Sequence, residues 1–254
     1  MIWRLKIKDI ICGDSREILK TIPDNSIDMV ITSPPYNFDM DYDTHKDKDK
    51  WEIYLENTGQ IWAECYRVLK PGGRMAINLQ PDFYDRFPTH HYTTKQCLDL
   101  GFLWKCEMIW NKNHYNCPTR QFGSWKSPSS PCIKLSWEYI EVFCKDTIKK
   151  TGDKEKIDIT REEFLEYIDG MWSFKPEHRG KKFGHPACFP EELPYRLMKM
   201  FSYIDDIILD PYNGVGTTTF VAHRLNRQYI GIDLSEEYCK TAKDRLKQID
   251  LFNG

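Results

Sequence analysis

The chain has 254 residues, 41% of them hydrophobic and 29% charged, and a formal net charge of −2. That length suits one domain with insertions or two small ones and is ample for a buried core, while the charge advertises no nucleic-acid partner. No apolar run reaches the roughly 18 residues needed to cross a bilayer, the first 14 residues lack the features of a secretory signal, and the nine cysteines are scattered singly with no C-x-x-C pair, which reads as reduced thiols in a cytoplasmic protein without a metal site.

Residues 5–15, LKIKDIICGDS, alternate and read as a strand stopping at a loop. SREILKTI then fits a short helix with Ser15 as its N-cap. SIDMVITSPPY is a second strand, ended by Pro34 and Pro35. In residues 49–74, Trp51, Tyr54, Leu55, Ile61, Trp62, Cys65, Tyr66 and Leu69 recur near helical spacing, and KPGG stops the helix before the strand RMAINL. YTTKQCLDLGF predicts a helix ending at Gly101, and LWKCEMIWNK and SWEYIEVFCK predict two strands. Alternating strands and helices over residues 5–145 predict a mostly parallel sheet covered on both faces.

Residues 111–131 break the pattern: they are rich in Pro, Ser, Asn and Gly and have no period. A loop of that length in a compact domain is functional or disordered. Residues 146–177 form an insert whose ITREEFLEYIDG predicts a short helix with a Thr160-x-x-Glu163 capping box. FPEELPYRLMKMFS predicts a further helix, and residues 204–249 a strand–loop–helix–strand–helix unit.

Charge is distributed unevenly. Residues 108–137 contain no Asp or Glu but carry Lys112, Arg120, Lys126 and Lys134. Residues 174–190 set Lys175, Arg179, Lys181 and Lys182 against Glu177 alone. A one-sided basic surface on a near-neutral protein is compatible with a polyanion, and equally with two solvated loops.

Two loops carry chemistry. In ILDPYNGVGTTT, Gly214 and Gly216 permit a tight turn and a close ligand approach, and Asp210 ends the preceding strand. About twenty residues on, YIGIDLS ends a strand in Asp233, an acid placed to accept from ribose hydroxyls. The third glycine of a dinucleotide fingerprint is missing, and a carboxylate beside the turn disfavours phosphate and favours a cationic nucleoside such as S-adenosylmethionine. In TSPPYN, the prolines stiffen the backbone. Ser33 Oγ and the Pro34 carbonyl can accept the two protons of an exocyclic amino group, which aims the nitrogen lone pair at an electrophile. Tyr36 can stack on the ring of a flipped base.

These motifs together resemble the amino-group DNA methyltransferases, which methylate adenine N6 or cytosine N4. Ser33, Pro34, Pro35 and Tyr36 match that family's (D/N/S)-P-P-(Y/F/W) motif. Residues 210–218 match its D-P-F-x-G-x-G-T-T motif, with Tyr212 where Phe is usual. CGDS, FGSWKSPSSP and the segment from His185 resemble further family segments. The first motif precedes the second, which resembles the family's β order. The resemblance implies an α/β fold, a doubly wound mostly parallel sheet of the S-adenosylmethionine-dependent methyltransferase type with an inserted target-recognition region. It implies a catalytic half over 1–110, target recognition and insert over 111–180 with a sheet strand near 136–145, and a cofactor-binding half over 181–254.

For the site, the resemblance implies Ser33, Pro34, Pro35 and Tyr36 as catalytic residues. It places S-adenosyl-L-methionine on Asp14, Thr32, His185, Phe189, Pro190, Asp210, Pro211, Tyr212, Asn213, Gly214, Gly216, Thr217, Thr218, Asp233 and Leu234. It places double-stranded DNA on Asn37, Arg120, Lys126, Lys181 and Lys182, with Arg120 and Lys126 on phosphates rather than bases. His185 is as readily structural as cofactor-adjacent, and Trp125 is expected in the core. A partner restriction endonuclease and a homodimer are compatible with the family; no membrane is. Ser in the first motif position implies cytosine N4 as target, with adenine N6 the alternative. RNA or amide methylation, a nucleotide-binding dehydrogenase and an inactive DNA-binding protein are the remaining readings.

Overall fold

A computed structural model of the chain describes residues 7–37, 40–41, 46–47, 49–80, 87–113, 123–133, 135–177 and 188–253. In chain order the elements are strand β1 (Asp9–Cys12), helix α1 (Ser15–Ile18), strand β2 (Ile27–Thr32), short strands β3 (Met40–Asp41) and β4 (Lys46–Asp47), helix α2 (Trp51–Val68), strand β5 (Leu69–Leu79), helix α3 (Thr89–Asp99), strands β6 (Leu103–Asn111) and β7 (Trp137–Cys144), helix α4 (Arg161–Tyr167), strand β8 (Met171–Ser173), helix α5 (Glu192–Phe201), strand β9 (Ile207–Asp210), helix α6 (Thr217–Arg224), strand β10 (Gln228–Asp233) and helix α7 (Glu236–Asn253). Eight strands form one sheet in the order β1-β10-β9-β2-β5-β7-β6-β8. Pairing is parallel from β1 through β5 and between β6 and β8; β7 runs antiparallel to both its neighbours. This is the doubly wound, mostly parallel sheet that the alternation of elements predicts.

β2 is buried at every position from Ile27 to Thr32, as a strand covered on both faces must be. α2 offers the sheet a stripe of Tyr54, Thr58, Ile61, Trp62, Cys65 and Val68, spaced at helical intervals. With Leu19, Cys97 and Phe143 it builds the core on one face. Leu197, Met198, Val221, Ala242 and Leu246, from α5, α6 and α7, cover the other. From β2 the chain crosses to β5 on one side; from β9 it crosses to β10 on the other. The border between β2 and β9 is therefore where the winding reverses, the position at which open α/β sheets leave a crevice beyond their strand ends.

Two boundaries differ from expectation. Ser15 does not cap α1: Asp14 does, accepting from the Arg16 amide, while Ser15 Oγ turns away to donate to the Pro211 carbonyl. β5 begins at Leu69, before KPGG rather than after it. Its pairing with β2 shifts register between Ile27 and Met29, and Gly72 adopts φ 77° within the irregular stretch.

The 146–177 insert is structural in its second half. The predicted capping box is present, with Thr160 Oγ1 accepting from Glu163 N at 3.1 Å and Glu163 Oε2 accepting from Thr160 N at 2.9 Å. β8 then adds an edge strand to β6, burying Trp172 and Tyr167 against Trp110. The Arg196 guanidinium of α5 lies 4.5 Å from the Tyr167 ring centre, and Arg227, ahead of β10, pairs with Asp158 at 2.5 and 2.8 Å. Trp172→Ala should therefore cost about 3–5 kcal/mol in urea unfolding; a cost near zero would mean the insert is not part of the core.

Candidate active site

Parallel pairing of β2 with β9 through Met29↔Ile208 and Val30↔Leu209 brings the carboxyl ends of both strands side by side. Thr32 Oγ1 donates to Asp210 Oδ1 at 2.7 Å, and both residues are buried. The Tyr212 amide donates to the same oxygen at 3.0 Å. Burial pushes the Asp210 carboxyl up to about 6, while the facing Thr218 and Thr32 hydroxyls and the Tyr212 amide pull against it.

The glycine loop follows. Gly214 at φ 51° and Gly216 at φ 81° turn through the left-handed region. At Gly216 the space is also filled: a Cβ would lie 2.7 Å from that of Ala242. Asn213 is seated by its amide on the Ile232 carbonyl at 2.9 Å, and its Oδ1 accepts from Thr219 at 3.0 Å. Asp233 closes the turn. Its Oδ2 accepts from Gly214 N at 2.7 Å and its Oδ1 from Ser235 N at 2.9 Å. Pairing of Cys12 with Asp233 brings Asp14 to the same sheet edge. The Asp14 carboxylate is held by Arg16, whose Nη2 approaches within 2.6 Å; this pairing keeps it below the usual carboxylate range.

The remaining predicted cofactor residues divide by surroundings. Tyr212 packs edge-on to Trp62 at 6.2 Å, and burial raises its phenol. Pro211 receives the Ser15 hydroxyl, and Thr217 lies 3.4 Å from Arg245 Nη1. Thr218 is fully buried, Leu234 is 51% exposed, Phe189 packs partly against the core and the Pro190 carbonyl accepts from Leu193 N ahead of α5. His185 lies outside the described residues. Residues 204–222 contain no Lys or Arg, Arg16 is committed to Asp14, and Arg245, beside the turn, donates to the Val215 carbonyl at 2.8 Å and pairs with Glu191 at 3.3 Å. A buried acid beside a backbone-anchored acid suits a cationic nucleoside with ribose hydroxyls; it does not suit a phosphate. The donor set thus fits S-adenosyl-L-methionine.

Beyond β2, Pro34 is buried and the Pro35 carbonyl accepts from Tyr54 Oη at 2.8 Å, which fixes the loop on α2. Tyr36 Oη donates to Glu138 Oε2 at 3.0 Å and accepts from Ser33 Oγ at 2.9 Å and Asn78 Nδ2 at 3.1 Å. Asn78 Nδ2 also donates to Glu138, whose other oxygen pairs with Lys112. Sequence reasoning missed Tyr54, Asn78, Lys112 and Glu138. A trace was present: Asn78 and Glu138 are polar interruptions in apolar strands, RMAINL and WEYIEVFC.

The expected DNA contacts fare unequally. Asn37 is buried, and its carboxamide is committed to Asp49, donating to the carbonyl at 2.9 Å and accepting from the amide at 2.7 Å. That geometry ties residue 37 to residue 49 and spends the carboxamide inside the protein. Lys126 is exposed near the tip of a small loop closed by a Gly123–Pro131 bridge. Trp125 beside it is 68% exposed, not in the core as expected, because the bridge directs this loop's residues outward. Arg120, Lys181 and Lys182 lie outside the described residues.

The sequence matches the N6_N4_Mtase family, described as DNA methylase, over residues 27–244. It is 33% identical over 255 residues to the type II methyltransferase M.HpaI of Haemophilus parainfluenzae, covering 96% of this chain and 75% of that protein. It is 31% identical over 252 residues to the DNA adenine methyltransferase YhdJ of Escherichia coli, covering 94% and 82%. Its fold is similar to that of TTHA0409 from Thermus thermophilus, solved in complex with S-adenosyl-L-methionine, with a TM-score of 0.74, 29% identity and coverage of 94% and 95%.

An acid whose folded pKa is raised holds its proton more tightly in the folded state. An unfolded aspartate titrates near ~3.9, and folded Asp210 at about 6, so its contribution to stability falls as pH rises through that window. In the cofactor-free protein, Asp210→Asn should raise the urea midpoint at pH 8 and change it little at pH 4. An equal difference at both pH values would contradict a buried, reluctantly charged Asp210.

Proposed function

This chain belongs to the N6_N4_Mtase family of DNA methylases and is an S-adenosylmethionine-dependent DNA methyltransferase; on that premise we propose that it methylates the exocyclic amino group of a flipped base at a specific site in double-stranded DNA, the base being cytosine and the atom N4. The observation that carries this reading is the Thr32–Asp210 hydrogen bond, which ties the amino-gripping loop to the cofactor loop at one sheet edge.

When bound, S-adenosylmethionine supplies a methyl group activated by its sulfonium. The chain supplies position. Asp233, fixed by the Gly214 and Ser235 amides, accepts from the ribose hydroxyls. Asp210, Pro211, Asn213, Gly214, Gly216, Thr217 and Thr218 shape the turn beneath, and Asp14, Tyr212, Phe189, Pro190 and Leu234 are further cofactor contacts, with His185 assigned to the cofactor from its motif alone. Ser33 Oγ and the Pro34 carbonyl accept the amino protons and turn the nitrogen lone pair outward. Holding the reactants in that geometry accounts for most of the acceleration, so no covalent bond to a protein nucleophile is needed.

Cytosine is favoured because Ser33 is an uncharged acceptor, which suffices for the more electron-rich cytosine amine, whereas adenine is held better by a carboxylate. The specific observation favouring adenine N6 is the 31% identity to a protein named as an adenine methyltransferase. Residues 111–180 hold the target-recognition region and insert, with Lys126 on a phosphate and Arg120, Lys181 and Lys182 as further DNA-binding residues. A cytoplasmic location, a cognate endonuclease and a homodimer belong to the same proposal.

Nucleoside mass spectrometry of DNA treated with the protein should detect N4-methylcytosine; N6-methyladenine instead would move the target to adenine. Ser33→Ala should lower turnover roughly a hundredfold with cofactor affinity by calorimetry unchanged, and unaltered turnover would remove Ser33 from the mechanism. Lys126→Ala should reduce the salt slope of DNA binding by about one; an unaltered slope would mean that Lys126 touches no phosphate.

A further inference from the structure

Four strand ends converge on Tyr36. Ser33 follows β2, Asn78 lies near the end of β5, Lys112 follows β6 and Glu138 begins β7. The direction of each hydrogen bond there follows from donor capacity alone. The Glu138 oxygens accept from Tyr36, Asn78 and Lys112, and a carboxamide nitrogen can only donate. Tyr36 has one proton, and it goes to Glu138 Oε2 at 3.0 Å. The phenolic oxygen therefore accepts from Asn78 Nδ2 at 3.1 Å and from Ser33 Oγ at 2.9 Å. Ser33 thus has its proton committed inward, and its lone pairs are what it has left for an amino group. At the far end, Glu138 is almost wholly buried, with a side chain 6% exposed against 14% for Lys112. Lys112 is held in turn by the Gln80 amide oxygen at 3.5 Å and the Trp110 ring at 5.2 Å. A buried ion pair costs desolvation and is weak evidence for stability. This one lies at the catalytic loop instead of in the apolar core.

We propose that Ser33, Tyr36 and Glu138 form a proton-carrying chain that drains the methylated amino group, with Lys112 and Asn78 as positioning residues. The inference rests on the amino-methylation reading above. As the nitrogen bonds to the methyl carbon, the carbon–sulfur pair leaves with sulfur and the nitrogen acquires a positive charge. One of its protons passes to Ser33 Oγ, the Ser33 proton passes to Tyr36 Oη, and the Tyr36 proton passes to Glu138 Oε2. Each oxygen gains and loses one proton, the nitrogen becomes neutral, and Glu138 becomes a carboxylic acid beside Lys112. Release of that proton to water resets the chain. Glu138 acts through Tyr36 and Ser33 and does not touch the base.

The test compares the parent with Tyr36→Phe, which keeps the ring and the Glu138–Lys112 pair, and with Glu138→Gln, which keeps the shape and removes the proton acceptor. Single-turnover methyl transfer should fall about a hundredfold in both. Cofactor affinity by calorimetry and base flipping, read by 2-aminopurine fluorescence without cofactor, should stay within about twofold of the parent. In the variants alone, the rate should rise with pH and with the concentration of added imidazole, because external base must then take the proton. Rates within twofold of the parent in both variants would overturn the chain. A fall in rate matched by lost flipping or cofactor affinity, without rescue by imidazole, would reduce these residues to scaffolding and overturn it too. A parent that methylates neither base fails the underlying reading instead, and is recognised before any variant is compared.

Discussion

The hydrogen bond from Thr32 to Asp210 joins the ends of two strands 178 positions apart in sequence. Neither partner can reach water, so each needs the other: an unpaired buried hydroxyl or carboxylate costs more than the bond returns. The contact exists only because β2 and β9 are neighbours, and they are neighbours only because the sheet reverses its winding between them. The residues that follow each strand, Ser33 to Tyr36 and Pro211 to Gly216, then face one crevice. The meeting of the two loops hangs on this register; a shift of one residue would turn Thr32 or Asp210 to the opposite face.

Buried polar groups meet at this end of the sheet for a physical reason. Carboxyl ends of parallel strands leave the sheet through loops, and loops can bring donors and acceptors to one place without breaking a ladder. Glu138 fits because β7 runs the other way: it enters the sheet where its neighbours leave it. An antiparallel strand among parallel ones thus delivers its first residues to the edge where Tyr36 lies, while Ile140 and Val142 serve the core. The opposite end has its own charge cluster, in which Asp28 binds Lys70 at 2.8 Å and Lys150 bridges Asp28 to Asp206 at 3.7 and 3.2 Å. That cluster ties strand starts to the chain after β7, far from the site residues.

Legibility in the sequence followed range. The Thr160–Glu163 capping box spans three residues and appears as predicted, because its hydrogen bonds need only the local chain. The left-handed glycines of the cofactor loop were equally local. Ser15 was misjudged as a cap because its hydroxyl has a better offer from Pro211, a partner 196 positions away. Asn37 looked like a polar residue free to meet DNA, yet its carboxamide is consumed by Asp49. Trp125 looked like core because tryptophan is usually buried, but its loop closes on itself through Gly123 and Pro131 and leaves the indole outside. The insert after residue 146 had no visible destination, since pairing of β8 with β6 depends on which sheet edge stays open.

By itself the sequence determined the alternation of elements, the two stiff or glycine-rich loops, and the placing of Asp210 and Asp233 at the ends of the two strands of one strand–helix–strand unit. These are settled by backbone sterics and periodicity, which act over a few residues. Tertiary structure alone decided that the loops meet, that Tyr36 is gripped through its hydroxyl by Ser33, Asn78 and Glu138, and that Lys112 balances the buried charge. Those residues come from strands separated by whole helices, and no local rule links them. Only the order and direction of strands in the folded sheet do that, because burial makes each polar group find its partner wherever the topology has put one.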